Sequence, residues 1–426
     1  MKSKMPLVAK ILIGFVAGTT IGVAISEFCD PETVKGILPY ISPFGSVLVA
    51  MLKAVVFPVI FFSLILGAAA LPLKKSGRIG GTVLLWYTFT SLFATVFGVA
   101  LAHVMNPTMS TATQMAASHI ADVKVMVGNA GSSSVADFLV GLFQNPFSTL
   151  SNGQFLPVIV FAVAFGLAAR CLLDYAEDEK TASAVQSMLV VFDGVQRVSF
   201  KLIDCVILYF PIGVFALSLT NFAENGTLLF GPYLRIVACV VIGVLAMILV
   251  IYPLAILIFC HENPYRILLR FRQPIVTAFV TRSSAATLPI SFKTMDEAGV
   301  ARSLSSFSLP LGATVNMDGV CVHLPVFVIL AANMFGLPLS FLQIVTLCIS
   351  IMFASIGAGG IPGGSVFLLF MVLESMKLPP DQVSLIVALC MGINPILDMF
   401  ETCCNVTGDN VCTYIVARRS GLVAGK

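Results

Sequence analysis

The chain has 426 residues, of which 58% are hydrophobic and only 11% are charged, and its formal net charge is +3. Soluble domains carry roughly 25% charged residues, so this composition excludes an ordinary soluble protein. The basic residues lie in short loops and form no continuous basic face, which argues against nucleic-acid binding. The histidines are scattered, and neither an HExxH nor a GxSxG pattern occurs. We therefore expect no enzymatic activity and no organic cofactor.

Apolar runs recur along the chain, and the mean hydropathy is +1.00. A bilayer-spanning helix needs about 20 apolar residues, so these runs predict a membrane protein of many helices. Gly14, Gly18 and Gly22 repeat at one helical spacing in the first run and predict a flat face for close helix packing. The conventional spans are predicted at 7–26, 45–71, 80–105, 152–172, 188–222 and 233–260, with a further apolar stretch at 134–148.

Basic residues mark one side of the predicted bundle. They cluster before the first span, at 74–78, at 266–272 and near the C-terminus, where Arg418 and Arg419 stand. The positive-inside rule makes that side cytoplasmic. We therefore expect a multi-pass protein of the cell membrane, surrounded by lipid, with both termini in the cytoplasm. The weakly charged stretch 106–134 is predicted as a loop on the opposite side.

Polar and Gly/Pro clusters interrupt the hydrophobic segments that follow residue 268. Irregular backbone at membrane depth persists only where protein or a water-filled cavity satisfies its polar groups. Interrupted segments in corresponding positions are therefore the best sequence indication of a transport site near the bilayer midplane. The interruptions lie at 281–287 (TRSSAAT), 316–319 (NMDG), 354–365 and 394–409.

The last apolar segment carries polar groups that fall in one stripe roughly 100° wide on a helical wheel. Three of them are carboxylates, and each costs at least about 2.5 kcal/mol at the bilayer centre. Hydrogen bonding between helices is the alternative explanation, and a solute site is the preferred one. The stripe consists of Asn394, Asp398, Glu401, Thr402, Asn405 and Asp409.

The NMDG motif places an acid and an amide beside a glycine inside an apolar run. Such a break exposes carbonyl oxygens next to a carboxylate, and hard oxygen ligands suit a small cation such as sodium. A glycine kink with a hydrogen-bonded Asp318 is the alternative. The interruptions at Ser283-Ser284 and at 357–364 are typical of the tips of re-entrant hairpins, whose exposed N–H groups suit a carboxylate.

Taken together, these motifs resemble those of the dicarboxylate/amino acid:cation symporters, the glutamate transporter homologues. The resemblance covers nearly the whole chain and is most specific in TRSSAATLP at 281–289, NMDG at 316–319, SIGAGGIPG at 355–363 and NVTGD at 405–409. It implies an all-α polytopic membrane protein with eight transmembrane helices and two re-entrant helical hairpins per subunit. It also implies a homotrimer and an elevator-type transporter, in which a transport domain slides against a scaffold.

The resemblance also implies a division of the chain. Residues 1–75 and 134–265 would be mainly scaffold and trimerisation helices, and residues 76–106 and 266–420 would form the transport domain. The transport domain would contain the third helix, hairpin 1 at about 268–296, a broken helix at about 303–334, hairpin 2 at about 341–374 and the last helix at about 382–418.

The resemblance implies several sodium ions per substrate. Their ligands are carried over from the family's motifs to the matching positions of this sequence. The first set would be side chains of Tyr87, Thr90, Ser91, Asn316, Asp318 and Asp409 and the carbonyls of Gly312 and Asn405. A further ion would lie under hairpin 2 on the carbonyls of Thr314, Ser355, Ile356 and Ala358.

The implied substrate site is an amino-acid site. Asp398 and Thr402 would bind the amino group, and Asn405 with the backbone of Ser284 would bind the α-carboxylate. The remaining members of the implied site are Ser283 at the tip of hairpin 1, Val320 in the side-chain pocket, and Ile361 to Gly363 as the lid.

The side-chain pocket departs from the pattern of acidic-substrate members. Those members carry an Arg at the position of Glu401, a Thr at that of Val320 and commonly an Asp at that of Asn394. An acidic substrate would meet like-charge repulsion in a site of low dielectric constant. The Glu-Thr pair at 401–402 is similar to that of bacterial sodium/serine transporters, so the expected function is sodium-coupled symport of serine, threonine or alanine.

Alternatives remain open at this stage. Within the same family, the substrate could be cationic, cystine-like or a dicarboxylate, and an ionised Glu401 would attract a cationic side chain. Burial beside Asp398 disfavours that ionised form. Arg282 could neutralise Glu401, Asp398 or neither. An ion channel is the competing class, although a channel would line a continuous pore instead of forming one compact polar cluster.

Overall fold

The computed structural model describes residues 7–69, 77–107, 140, 143–146, 148, 155–175, 178–356, 364–376 and 378–423. These residues are almost entirely helical, and their one β-type pairing is an isolated bridge between Val300 and Val423. The main helices are α1 (Leu7–Phe28), α2 (Pro31–Ala69), α3 (Gly77–Met105), α4 (Phe155–Tyr175), α5 (Glu179–Asn225), α6 (Phe230–Ala246), α7 (Tyr252–Cys260), α8 (Pro264–Arg270), α9 (Arg272–Thr281), α10 (Ser284–Glu297), α11 (Arg302–Val315), α12 (Asp318–Met334), α13 (Phe341–Ile356), α14 (Gly364–Ser375) and α15 (Pro380–Arg419).

Several of these helices are long and apolar enough to cross a membrane, so the chain is a multi-pass membrane protein. In the described part of the chain the spanning stretches are Ala9–Phe28, Ile79–Met105, Glu179–Glu224, Tyr233–Cys260, Arg302–Met334 and Leu385–Arg419. The apolar helix α13 and the apolar part of α14 are shorter than a full span.

The N-terminal helices pack around α5, which contacts α1, α2 and α4. The glycine row of α1 faces α5, as the sequence predicts. A Cβ atom on Gly18 would lie 2.4 Å from the carbonyl oxygen of Phe215, and those on Gly14 and Gly22 would lie 2.5 and 2.7 Å from other α5 carbonyl oxygens. The two helices therefore meet backbone to backbone, which only small residues permit.

Helix α15 occupies the centre of the C-terminal half. It contacts α1, α2, α3, α5, α6, α7, α9, α10, α11, α12 and α14. On a helical wheel its polar residues form one face and its apolar residues the opposite face, and residues 401–417 are buried on both faces. Both faces are buried because protein, and not lipid, surrounds this part of the helix.

Three sequence predictions differ from the structure or fall outside it. The span predicted at 45–71 belongs to the longer helix α2, which begins at Pro31. Asp30 caps this start, since its carboxylate accepts hydrogen bonds from the amide and the hydroxyl of Thr33 at 3.0 and 2.7 Å, and proline fits the first helical position. Most of the predicted loop 106–134 and of the stretch 134–148 lies outside the described residues.

The first testable prediction concerns the α1–α5 contact. Gly18→Ala should lower the free energy of unfolding by about 1–3 kcal/mol, because the added methyl group would overlap the Phe215 carbonyl oxygen. Gly194→Ala on α5 is the matched control, since a Cβ there meets no atom within 4 Å. Thermal unfolding in detergent measures both variants. Equal midpoints for the two alanine variants would contradict the close contact.

Candidate functional site

The polar stripe of α15 is buried in the protein interior. Its six members are only 1% to 5% exposed, and they include three carboxylates. Helices from both predicted hairpins and from the broken helix contact α15. The stripe therefore faces protein groups that can compensate its charges, and the partners of each acid define two neighbouring clusters.

The first cluster forms where α11 and α12 meet. Helix α11 ends at Val315, and α12 begins at Asp318. Between them, Asn316 (φ −103°, ψ 84°) and Met317 (φ −109°, ψ 57°) have non-helical backbone. The NMDG motif thus breaks a single apolar run into two half-helices at a fully buried position.

Two hydroxyl groups hold the fully buried carboxylate of Asp318. Ser91 donates to its Oδ1 at 2.9 Å, and Tyr252 donates to its Oδ2 at 2.7 Å. Ser91 lies on α3 and Tyr252 at the start of α7. Both carboxylate oxygens of Asp318 are therefore oriented by helices outside the broken helix itself.

Asn316 links the same cluster to α15. Thr90 on α3 donates to the Oδ1 atom of Asn316 at 3.0 Å, and the Nδ2 atom of Asn316 donates to Oδ1 of Asp409 at 3.0 Å. Tyr87 donates to the carbonyl oxygen of Ser308 at 2.8 Å. Residues from α3, the α11–α12 break and α15 thus meet at one buried location.

Glycine makes this convergence possible at two positions. A Cβ atom on Gly312 would lie 2.4 Å from Oδ1 of Asp409 and 2.7 Å from the hydroxyl of Tyr87. A Cβ atom on Gly408 would lie 2.7 Å from the Tyr252 hydroxyl and 2.9 Å from Oδ2 of Asp318. Any larger residue at either position would displace the oxygen atoms of the cluster.

These oxygen atoms suit a hard cation. In the described part of the chain no group of three or more His, Cys, Asp or Glu side chains could hold a metal ion. The donor set consists of hydroxyl, amide and carbonyl oxygens around two carboxylates, which suits a hard cation and not a transition metal. The structure brings together Tyr87, Thr90, Ser91, Gly312, Asn316, Asp318 and Asp409.

The second cluster surrounds Asp398 and Glu401 on α15. Arg282, at the tip of hairpin 1, places its Nε atom 3.6 Å from Oδ2 of Asp398. Its backbone is left-handed (φ 53°, ψ 35°), which is uncommon for a residue with a side chain. The sequence left open whether Arg282 neutralises Asp398, Glu401 or neither. The structure pairs Arg282 with Asp398.

The tip of hairpin 1 continues into the N-terminus of α10. The Oγ atom of Ser283 accepts a hydrogen bond from the amide of Ala286 at 3.2 Å and caps this helix. Ser284 is 2% exposed, and its Oγ atom has no hydrogen-bond partner among the described residues. A buried helix N-terminus with an unpartnered hydroxyl beside Arg282 suits a carboxylate.

Asn405 and Thr402 lie between the two clusters. The Oδ1 atom of Asn405 accepts a hydrogen bond from the amide of Gly319 at 2.7 Å, directly after Asp318. Thr402 donates to the carbonyl oxygen of Asp398 at 2.7 Å. Val320 is 4% exposed. Among these residues, Asn405 thus links α15 to the start of α12.

Hairpin 2 is described only in its arms. Ser355 and Ile356 end α13, while Thr314 is an exposed residue of α11 whose hydroxyl donates to the carbonyl oxygen of Leu311 at 2.9 Å. Ser365, at the start of α14, donates to Oδ1 of Asn394 at 3.2 Å. The tip lies outside the described residues, and with it the predicted site residues Ala358, Ile361 and Gly363.

The sequence analysis missed two residues of these clusters. Tyr252 follows the π-helical turn Met247–Ile251, and a lone hydroxyl in such an apolar run was the available signal. The histidines were interpreted as scattered, but Nδ1 of His323 hydrogen-bonds Oε1 of Glu401, and both side chains are at most 1% exposed. This contact joins residues on α12 and α15 that are far apart in the chain, so no local pattern predicts it.

The second prediction tests Tyr252. Tyr252→Phe should lower the free energy of unfolding by about 1.5–3 kcal/mol, because buried Asp318 loses one of its two hydroxyl donors. Tyr265→Phe is the control, since the exposed Tyr265 hydroxyl bonds only the carbonyl oxygen of Leu249. Thermal unfolding in sodium-containing detergent measures both. A Tyr252→Phe midpoint that matches the control would remove Tyr252 from the cluster.

Comparisons with known proteins agree with this architecture. Residues 7–419 match the model of the sodium:dicarboxylate symporter family. The serine/threonine transporter SstT of Bifidobacterium adolescentis is 31% identical over 404 residues, 95% of this chain and 87% of the relative. The human neutral amino acid transporter B(0) is 31% identical over 442 residues, 95% of this chain and 78% of the relative.

A third relative is the proton/glutamate-aspartate symporter of Escherichia coli, which is 27% identical over 420 residues, 97% of this chain and 93% of the relative. All three relatives are transporters and not enzymes. The match to the family model extends over nearly the whole chain and includes both half-helices, the arms of the hairpins and α15. The chain therefore belongs to the sodium:dicarboxylate symporter family.

Proposed function

We propose that the chain couples sodium entry to the symport of a small neutral amino acid of the serine, threonine and alanine class. The observation that carries this proposal is the pair of adjoining buried clusters. One surrounds Asp318 and Asp409 with oxygen ligands, and the other pairs Asp398 and Glu401 with basic side chains. A cation site and a zwitterion site thus share one helix.

Asn405 supplies a physical route for coupling the two sites. It accepts a hydrogen bond from the amide of Gly319, next to Asp318, and lies on the same stripe as Thr402 and Asp398. Sodium bound at Asp318 and Asp409 neutralises buried charge and fixes the start of α12. The same event then fixes the position of Asn405 and, with it, the substrate stripe. Sodium binding thereby favours substrate binding, and the gain is the coupling free energy between the two sites.

The Arg282–Asp398 pair explains how a zwitterion enters without adding net charge. The substrate ammonium forms an ion pair with Asp398, because a buried ammonium needs a charged partner. Arg282 and the N-terminus of α10 at Ser284 then receive the α-carboxylate. One buried ion pair is replaced by two, and no uncompensated charge appears at membrane depth.

The side-chain pocket favours a neutral substrate. Glu401 stands where a second substrate carboxylate would need a cation, and Val320 offers no hydrogen-bond donor. A dicarboxylate would therefore face repulsion. Two of the relatives are named as transporters of serine and threonine and of neutral amino acids, and both are 31% identical to this chain.

The proposal includes the architecture that the family resemblance implies. It comprises eight transmembrane helices, two hairpins, a homotrimer, cytoplasmic termini and an elevator motion. Helices α1, α2, α4 and α5 would form the scaffold. The predicted scaffold range 134–265 would be shortened in one respect. Tyr252 at the start of α7 hydrogen-bonds Asp318 of the transport domain, so we propose that α6 and α7 also belong to that domain.

The third prediction tests cation coupling. Asp318→Ala and Asp409→Ala should each abolish sodium-driven uptake of serine into proteoliposomes, because each removes a carboxylate of the cation cluster. Asp193→Ala is the control, since Asp193 pairs with Arg197 on the exposed surface of α5. Uptake of labelled serine with and without a sodium gradient is the measurement. Normal sodium-dependent uptake by both cluster variants would place the cation sites elsewhere.

The fourth prediction tests the substrate class. In sodium but not in potassium, serine, threonine or alanine should raise the unfolding temperature of the purified protein, whereas aspartate and glutamate should not. Asp398→Asn should remove this stabilisation, and Thr402→Ser, which keeps the hydroxyl, should weaken it only slightly. Stabilisation by aspartate as large as that by serine would contradict the proposed class. Equal losses in the two variants would indicate damage to α15 instead of a lost contact.

A further inference from the structure

Glu401 is a buried acid with a buried basic partner. Its Oε1 atom hydrogen-bonds Nδ1 of His323, and the side chains are 1% and 0% exposed. The Oε2 atom of Glu401 is buried and has no hydrogen-bond partner among the described residues. A buried acceptor without a donor is costly, so a hydrogen bond from a bound ligand would stabilise this atom.

The surroundings of His323 hold its ring in place. Its Nε2 atom lies 3.6 Å from Sγ of Cys390, and its ring packs against Phe327 with centroids 4.9 Å apart. The backbone of α12 also meets α15 closely, because a Cβ on Gly319 would lie 2.4 Å from the carbonyl oxygen of Glu401. His323 and Glu401 are therefore fixed relative to each other by both helices.

The charges around this pair can be counted. Asp398 on α15 has Arg282 from hairpin 1 as its ionic partner, and Glu401 has His323 from α12. With Nε2 of His323 protonated and a second proton shared between Nδ1 and Oε1, the His323–Glu401 pair carries no net charge. Whichever of the two atoms holds that proton, Oε2 of Glu401 remains a hydrogen-bond acceptor.

We propose that His323 is a specificity-determining residue of the substrate site. It positions Glu401 and compensates its charge, so that Oε2 accepts a hydrogen bond from a neutral, donor-bearing side chain such as a hydroxyl. The inference rests on the proposed function, in which Glu401 flanks the substrate side chain. It narrows the substrate class in two ways. Serine and threonine are preferred to alanine, because they bring a hydroxyl donor for Oε2. A cationic side chain is excluded, because the His323–Glu401 pair has no net negative charge to attract it.

The unaltered protein provides the first test. Sodium-driven uptake of labelled serine into proteoliposomes is competed by unlabelled serine, alanine, O-methylserine and 2,4-diaminobutyrate. Serine should compete about tenfold better than alanine or O-methylserine, which lack a side-chain donor, and diaminobutyrate should not compete. Equal competition by serine and O-methylserine would overturn the role of Oε2 as acceptor.

The second test is a double-mutant cycle with His323→Gln, Glu401→Gln and the double variant. His323→Gln leaves an uncompensated acid, so the KM for serine should rise about tenfold or more, and diaminobutyrate should become a competitor. The double variant carries two neutral amides and should restore the KM to within about threefold of the unaltered protein. A merely structural role for His323 gives no such rescue.

Controls separate the possible failures. Stabilisation by sodium alone, without amino acid, verifies that each variant is folded. If the unaltered protein shows no sodium-dependent uptake of serine, threonine or alanine, the proposed function fails and this inference fails with it. If uptake is normal but His323→Gln keeps the serine KM and the competition profile, or the double variant is as impaired as His323→Gln, only the inference is overturned.

Discussion

The structure depends on one constraint, which is that an acid buried at membrane depth must be compensated by a nearby partner. Asp398, Glu401 and Asp409 lie on α15, and Asp318 lies beside it at the start of α12. Each meets its partner on a different element. The acids of one helix therefore determine which other elements must contact it.

The partners of the acids on α12 and α15 come from several different elements. Hairpin 1 supplies Arg282, α12 supplies His323, α3 supplies Ser91, and the start of α7 supplies Tyr252. These elements would otherwise have little reason to meet, since helices in a bilayer gain no hydrophobic free energy by associating. Polar contacts and close packing take over that role. The result is a helix that is buried on all sides between residues 401 and 417.

Close backbone approach is the second requirement, because short side chains such as Asp and Asn reach each other only when their helices nearly touch. Glycine at 312, 319 and 408 permits this approach in the interior, and any Cβ there would meet an oxygen atom of the site or the backbone of α15. The two clusters thus lie within one rigid framework around α15. Asn405 joins them through the amide of Gly319, and this hydrogen bond is the route that we propose for coupling between the clusters.

The sequence by itself determined the protein class, the interruptions of the last helices and the polar stripe of α15. Hydropathy, helical periodicity and polar groups at membrane depth are local properties, and they can be counted along the chain. The resemblance to the symporter family added the proposed cation residues, because short motifs such as NMDG preserve local geometry. The wheel did not tell whether the apolar face opposite the stripe meets lipid or protein, and the structure buries residues 401–417 on both faces.

Only the tertiary structure decided which groups pair. Arg282 could have met either acid, and the structure places it beside Asp398. His323 and Tyr252 carried no recognisable motif, yet each hydrogen-bonds an acid that is distant in the chain. The same contacts bring α6 and α7 against α15. Pairing across such distances depends on how helices pack, and helix packing is a property of the whole fold that no local sequence pattern records.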